Sequence, residues 1–168
     1  MRKLLVAVGM SVALLASPGV AFAASEQSFQ SDALRNDTYL TSRGRNQPAG
    51  VFSLFGRATS WTVQDKGTIN GHHKVKLVDA GNVPSDGCLD SHGAGSGGNP
   101  YVQACNSNNN QIWEVFNVGD YVVFKSYGAF TNQNLHLCVK APAGLNADHT
   151  NKVTMATCDT TSRYQRWF

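Results

Sequence analysis

Apolar and polar positions alternate along this chain in short runs and never settle into a helical stripe of useful length. Gly71-His72-His73-Lys74-Val75-Lys76-Leu77-Val78, Tyr101-Val102-Gln103-Ala104, Tyr121-Val122-Val123-Phe124 and Lys152-Val153-Thr154-Met155 each read as a strand bounded by turn residues. Gly67 and Gly119 each stand six residues beyond a tryptophan, in Asp65-Lys66-Gly67-Thr68 and Asn117-Val118-Gly119-Asp120, and both predict hairpin turns. Many short strands at regular spacing predict an all-β domain, either a barrel or a two-sheet sandwich.

A repeat favours the barrel. Trp61, Trp113 and Trp167 are spaced by 52 and 54 residues, Cys88 and Cys138 by 50, and Cys105 and Cys158 by 53. Gln111-Ile112-Trp113 and Gln165-Arg166-Trp167 share a Q-x-W pattern that the first copy carries as Thr59-Ser60-Trp61. Ahead of these, Phe29-Gln30-Ser31 matches Phe124-Lys125-Ser126, and Tyr39-Leu40-Thr41-Ser42-Arg43-Gly44 matches Cys88-Leu89-Asp90-Ser91-His92-Gly93. Three copies of about 50 residues imply threefold pseudosymmetry, with the strand that should follow the third tryptophan supplied by residues around Phe29. Each tryptophan, and the Gln111 and Gln165 that precede two of them, is then expected to brace the core.

The first 23 residues read as a leader rather than as part of the fold. Arg2 and Lys3 precede an apolar run from Leu4 to Ala16, and Ala21-Phe22-Ala23 supplies a small-x-small cleavage pattern. The run is too short and too interrupted for a membrane span, which takes about 20 apolar residues. Cleavage after Ala23 leaves residues 24–168 as one secreted domain, with lobes at roughly 24–61, 62–113 and 114–168. The whole chain of 168 residues carries a formal charge of +3, falling to +1 without Arg2 and Lys3, so no cationic face for nucleic acid is expected. Only 15% of residues are charged, and 14 asparagines follow residue 23, so hydroxyls and amides dominate the polar surface.

Export places Cys88, Cys105, Cys138 and Cys158 where disulfides persist, and four cysteines allow three pairings. They contain no C-x-x-C spacing, adjacent His72 and His73 point to opposite faces of a strand, and no metal or other cofactor is expected. No motif of an activated nucleophile is present, so a non-catalytic protein is expected. Gly93-Ala94-Gly95-Ser96-Gly97-Gly98 lacks the Gly-Lys-Ser/Thr of a phosphate loop and reads as a flexible loop beside Asp90.

Cys-Leu-Asp at residues 88–90, a second cysteine, and then Q-x-W at intervals of about 50 residues resemble the ricin-type β-trefoil lectin domain, over nearly all of residues 24–168. The resemblance implies three lobes with shallow sugar sites, and disulfides within lobes, Cys88 with Cys105 and Cys138 with Cys158. It also implies that the aspartate after Cys-Leu accepts sugar hydroxyls while an aromatic on the next strand stacks on the ring. In the second copy the matching residues are Asp90, Tyr101, Gln103 and Asn110, with amide and aromatic exchanged relative to the family's usual order. The third copy has Lys140 at the aspartate position, Thr154 and Ala156 on the strand, and Tyr164 for the asparagine; the first has Thr41 and no clear second-strand match. One glycan site, in lobe two, is therefore expected.

The chain is also similar, more weakly, to the lectin-like subunits of cytolethal distending toxins, which implies a docking role beside a toxin's catalytic subunit as the alternative. A trefoil protease inhibitor is the third reading, because one fold serves unrelated functions.

Overall fold

The computed structural model describes residues 26–34, 37–53, 59–80, 87–147 and 150–168. The leader expected over residues 1–23 lies outside the described residues. Strands β1 (Glu26–Gln27), β2 (Tyr39–Thr41), β3 (Gln47–Pro48) and β4 (Gly50–Phe52) precede the first tryptophan. Then come β5 (Trp61–Ile69), β6 (His72–Asp79), β7 (Gly87–Asp90) and β8 (Tyr101–Ala104). The last stretch holds β9 (Trp113–Val118), β10 (Tyr121–Ser126), helix α1 (Tyr127–Gln133), β11 (Leu137–Lys140), β12 (Thr150–Lys152) and β13 (Thr154–Thr157).

The tryptophans set the register of a closed β-trefoil barrel. Trp61 lies opposite Asp79 of β6 and Gln27 of β1. Trp113 lies opposite Ser126 of β10 and Val75 of β6. Trp167 bridges Ser31 and Val122 in the same way. Each tryptophan thus faces one residue of its own strand pair and one residue of a neighbouring pair. The third hairpin joins the two ends of the domain: Phe168 N donates to Gln30 O at 3.0 Å and Gln30 N donates back to Phe168 O at 2.6 Å. Phe29 closes on Phe124 edge to face, with ring centroids 4.8 Å apart. All three indoles are fully buried, which makes them the largest single contributors to the core.

A pair of strands completes each lobe: β2 with β4, β7 with β8, and β11 with β13. Their central partners, Leu40 with Val51, Leu89 with Val102 and Val139 with Met155, all point into the core and are at most 2% exposed. Alternation then turns the flanking residues outward, which is where a lobe can offer a site. The segment between the paired strands of each lobe reaches over to the next. Asn46 N donates to Val102 O, Gly97 N donates to Met155 O, and β12 pairs with β4. The lobes are therefore tied head to tail around the threefold axis.

Three local expectations change. Gly67 does not turn a hairpin: it sits inside β5 at a bulge between Asp65 and Thr68, with φ of 86°. The turn falls at Asn70-Gly71, both at positive φ (51° and 82°), the Asn-Gly signature of a two-residue hairpin. Gly119 does make its turn. The glycine-rich loop is docked rather than free, held on β13 by Gly97 N to Met155 O and by Met155 N to Gly98 O, both 2.7 Å. Finally, α1 forms where no apolar stripe announces a helix. Ser126 caps it by accepting from Ala129 N at 3.0 Å, and Asn134 ends it at φ of 54°.

Candidate functional site

Because Leu89 and Val102 face the core, their neighbours Asp90 and Tyr101, and Cys88 and Gln103, face outward as opposite pairs on the β7–β8 ladder. Asp90 is only 6% exposed, so its carboxylate needs partners, and it has two. Oδ1 accepts from His92 N at 2.6 Å, an Asx turn that brings the chain round through His92 and Gly93, both at positive φ. Oδ2 accepts from Gln111 Nε2 at 3.0 Å. A carboxylate offers about four acceptor positions, so roughly two remain for a ligand.

Beside this carboxylate opens a cavity of about 420 Å³, with Asp90, His92, Gln103, Asn106, Asn108 and Asn110 among its walls. Three of the four residues expected at a sugar site, Asp90, Gln103 and Asn110, thus meet around one space. The fourth, Tyr101, stands behind: its ring packs on the His92 imidazole with centroids 4.9 Å apart and planes at 41°. His92 is the one ring-bearing residue among the cavity walls. His92 is not among the residues that the sequence places at the site; its position two residues after Asp90, within the Asx turn, is the signal that points to it.

Gln111 is the hub of this lobe. Besides holding Asp90, its Nε2 donates to Ala104 O at 2.8 Å and its Oε1 accepts from Asn106 N at 2.8 Å, clamping both sides of Cys105. The Cys88–Cys105 disulfide fastens the same point to β7. Lobe three repeats the clamp: Gln165 donates to Thr157 O and accepts from Asp159 N, both at 2.9 Å, around Cys158, which is bonded to Cys138. Lobe one has Thr59 in the glutamine's place, accepting from Ser42 N at 2.8 Å. The buried Lys76 ammonium donates to the carbonyl of Asn106, a cavity wall, as a further tie on this segment. Burial, and to a lesser extent the Lys66 charge, lower its pKa from the ordinary lysine value.

The other lobes present different chemistry at the equivalent positions. In lobe three, Lys140 pairs with Thr154, and the Lys140 ammonium lies 6.0 Å from the centroid of the exposed Tyr164 ring. In lobe one, Thr41 pairs with Gly50, while Phe52 takes the place that Gln103 has in lobe two. Neither position carries a carboxylate. Among the described residues no three His, Cys, Asp or Glu side chains converge as a metal site would require, and no helix is long and apolar enough to cross a membrane.

Comparison with known proteins agrees with this architecture. The family model of the ricin-type beta-trefoil lectin domain matches residues 30–167. The fold is similar to that of ThreeFoil, a designed 3-fold symmetric protein, at 17% identity and a TM-score of 0.63, covering 83% of this chain and 95% of that one. It is similar to the Haemophilus ducreyi cytolethal distending toxin at 18% identity and a TM-score of 0.60, covering 84% of this chain and 80% of the other. A mosquitocidal holotoxin matches at 16% identity and a TM-score of 0.66; the match covers 87% of this chain but 17% of that much longer one. No curated protein matches the chain.

Proposed function

The chain belongs to the ricin-type β-trefoil lectin family, whose domains bind carbohydrate, and on that premise we propose that it is a secreted lectin that takes its sugar in the second-lobe cavity. The observation that carries this reading is the double anchorage of Asp90, by Gln111 Nε2 and His92 N, at the wall of an open polar cavity. A carboxylate held in that way accepts hydroxyl hydrogens without having to order itself on binding. Gln103 and Asn110 supply amides that both donate and accept, as vicinal hydroxyls require. The His92 ring, backed by Tyr101, offers the flat surface for the C–H face of the sugar. A single shallow site of this kind binds in the millimolar to high-micromolar range, and multivalent display raises it.

Two intrachain disulfides support export, in line with a leader over residues 1–23 and a mature domain over 24–168. Tetramerised mature protein, applied to a broad array of immobilised glycans with soluble sugar as competitor, tests the reading. Competable retention is the expected result. A folded, disulfide-intact sample that no glycan retains contradicts it.

The second reading, a non-catalytic docking subunit of a toxin, draws on Thr41 and Lys140, which leave two lobes without the carboxylate. The likeness to two toxins in fold is compatible with it. A stable complex with a toxin's catalytic chain, formed equally well by an Asp90→Ala variant, would favour that role.

A further inference from the structure

Helix α1 belongs to the third lobe by sequence but packs on the second lobe's site. Its Gly128 lies so close to Asn110 that an added Cβ would stand 2.7 Å from Asn110 Cα and N. Asn109 Nδ2 donates to Thr131 Oγ1 at 3.3 Å, and Gln133 Nε2 donates to Gly93 O at 3.4 Å, so the helix is tied to both sides of the Asp90 loop. Between α1 and the segment 107–110 lies a second cavity of about 400 Å³, walled by Ser107, Asn108, Asn109, Asn110 and Asn132. Asn108 and Asn110 are walls of both cavities. Asn108 is exposed, and its side-chain amide makes no hydrogen bond with the described residues, so it is available on the ridge between them.

Resting on the lectin reading above, we propose that the sugar site runs over the Asn108–Asn110 ridge into the α1 cavity, so that the chain recognises a neutral oligosaccharide of at least two residues. The terminal sugar occupies the Asp90 cavity and the next residue lies against Asn109 and Asn132. The lining decides the ligand class. Amides and a hydroxyl serve as donor and acceptor at once, which matches the hydroxyls of a neutral sugar. A carboxylate or phosphate group would call for Arg or Lys, and neither is a wall of this cavity. An apolar ligand would leave four amides desolvated without partners.

The test is titration calorimetry on the mature chain with three matched pairs: galactose and lactose, N-acetylglucosamine and chitobiose, mannose and mannobiose, with sialyllactose as the acidic counterpart. The disaccharide of the recognised pair should bind about five-fold tighter than its monosaccharide, the gain expected of one additional neutral hydrogen bond. Asn132→Ala and Asn109→Ala should each reduce that gain while leaving monosaccharide affinity within about two-fold, and sialyllactose should gain nothing over lactose. Both substitutions are at exposed positions, and thermal melts confirm folding. Equal affinity for the two members of a pair, or a gain untouched by both variants, overturns the extended site and leaves the Asp90 site standing. Absence of binding by every sugar overturns the lectin reading and this extension together.

Discussion

Gln111 donates its side-chain amide to Asp90 Oδ2 at 3.0 Å while the same side chain clamps the backbone on both sides of Cys105. The residue that braces the second lobe therefore also aims the carboxylate at the cavity. In lobe three Gln165 performs the same bracing around Cys158, with Lys140 where the carboxylate would be.

That difference separates stability from binding. Gln111→Ala removes three hydrogen bonds at a buried position and should lower stability by about 2–4 kcal/mol. It should also weaken sugar binding, because Asp90 loses one of its two anchors. Gln165→Ala should cost a comparable amount of stability and leave sugar affinity unchanged. Urea unfolding of both variants, beside glycan titration, checks the pair.

The tryptophans make a second comparison at constant chemistry. Trp61 and Trp113 donate Nε1 to the carbonyls of Leu40 and Leu89 at 3.1 and 3.0 Å. Trp167 Nε1 is buried and meets no hydrogen-bond partner among the described residues. Trp113→Phe should therefore destabilise more than Trp167→Phe, by about 1 kcal/mol, since both lose similar volume and only the first loses a hydrogen bond. Denaturant midpoints of the two variants decide it.

Gly128→Ala tests the docking of α1. Alanine favours a helix over glycine by about 1 kcal/mol, so a freely placed helix would gain from the change. Here the new Cβ would meet Asn110 backbone atoms at 2.7 Å, and backbone cannot swing aside as a long side chain could. The variant should melt lower than wild type and bind sugar more weakly, because Asn110 is a wall of the cavity. Scanning calorimetry and glycan titration provide both readings.

Much of this architecture is legible in the residues because the core is repetitive. Three tryptophans in one phase, with Leu40-Thr41 aligned to Leu89-Asp90, are enough to set the barrel and to place Asp90 on an outward face. The first lobe's second strand escaped because its spacing contracts. Val51 lies 10 residues before Trp61, whereas Val102 lies 11 before Trp113 and Met155 lies 12 before Trp167. Gly67 misled because a bulge and a hairpin turn both use a glycine at positive φ, and the Asn70-Gly71 pair that outranks it lies only three residues on. Helix α1 is short and held by its Ser126 cap and by contacts with another lobe, so periodicity could not reveal it. His92 carries its meaning through the Asx turn that Asp90 makes, which depends on geometry rather than on residue spacing.

The most direct test of a single sugar site in lobe two is a 1H–15N correlation spectrum of residues 24–168, titrated with the best ligand from the glycan array. Shifts should cluster at Asp90 to Gly93 and Gln103 to Asn110, and should vanish in Asp90→Ala while the rest of its spectrum stays dispersed. Shifts centred instead on Thr41 to Phe52 or Lys140 to Thr154, or a spectrum that no glycan alters, would contradict the account.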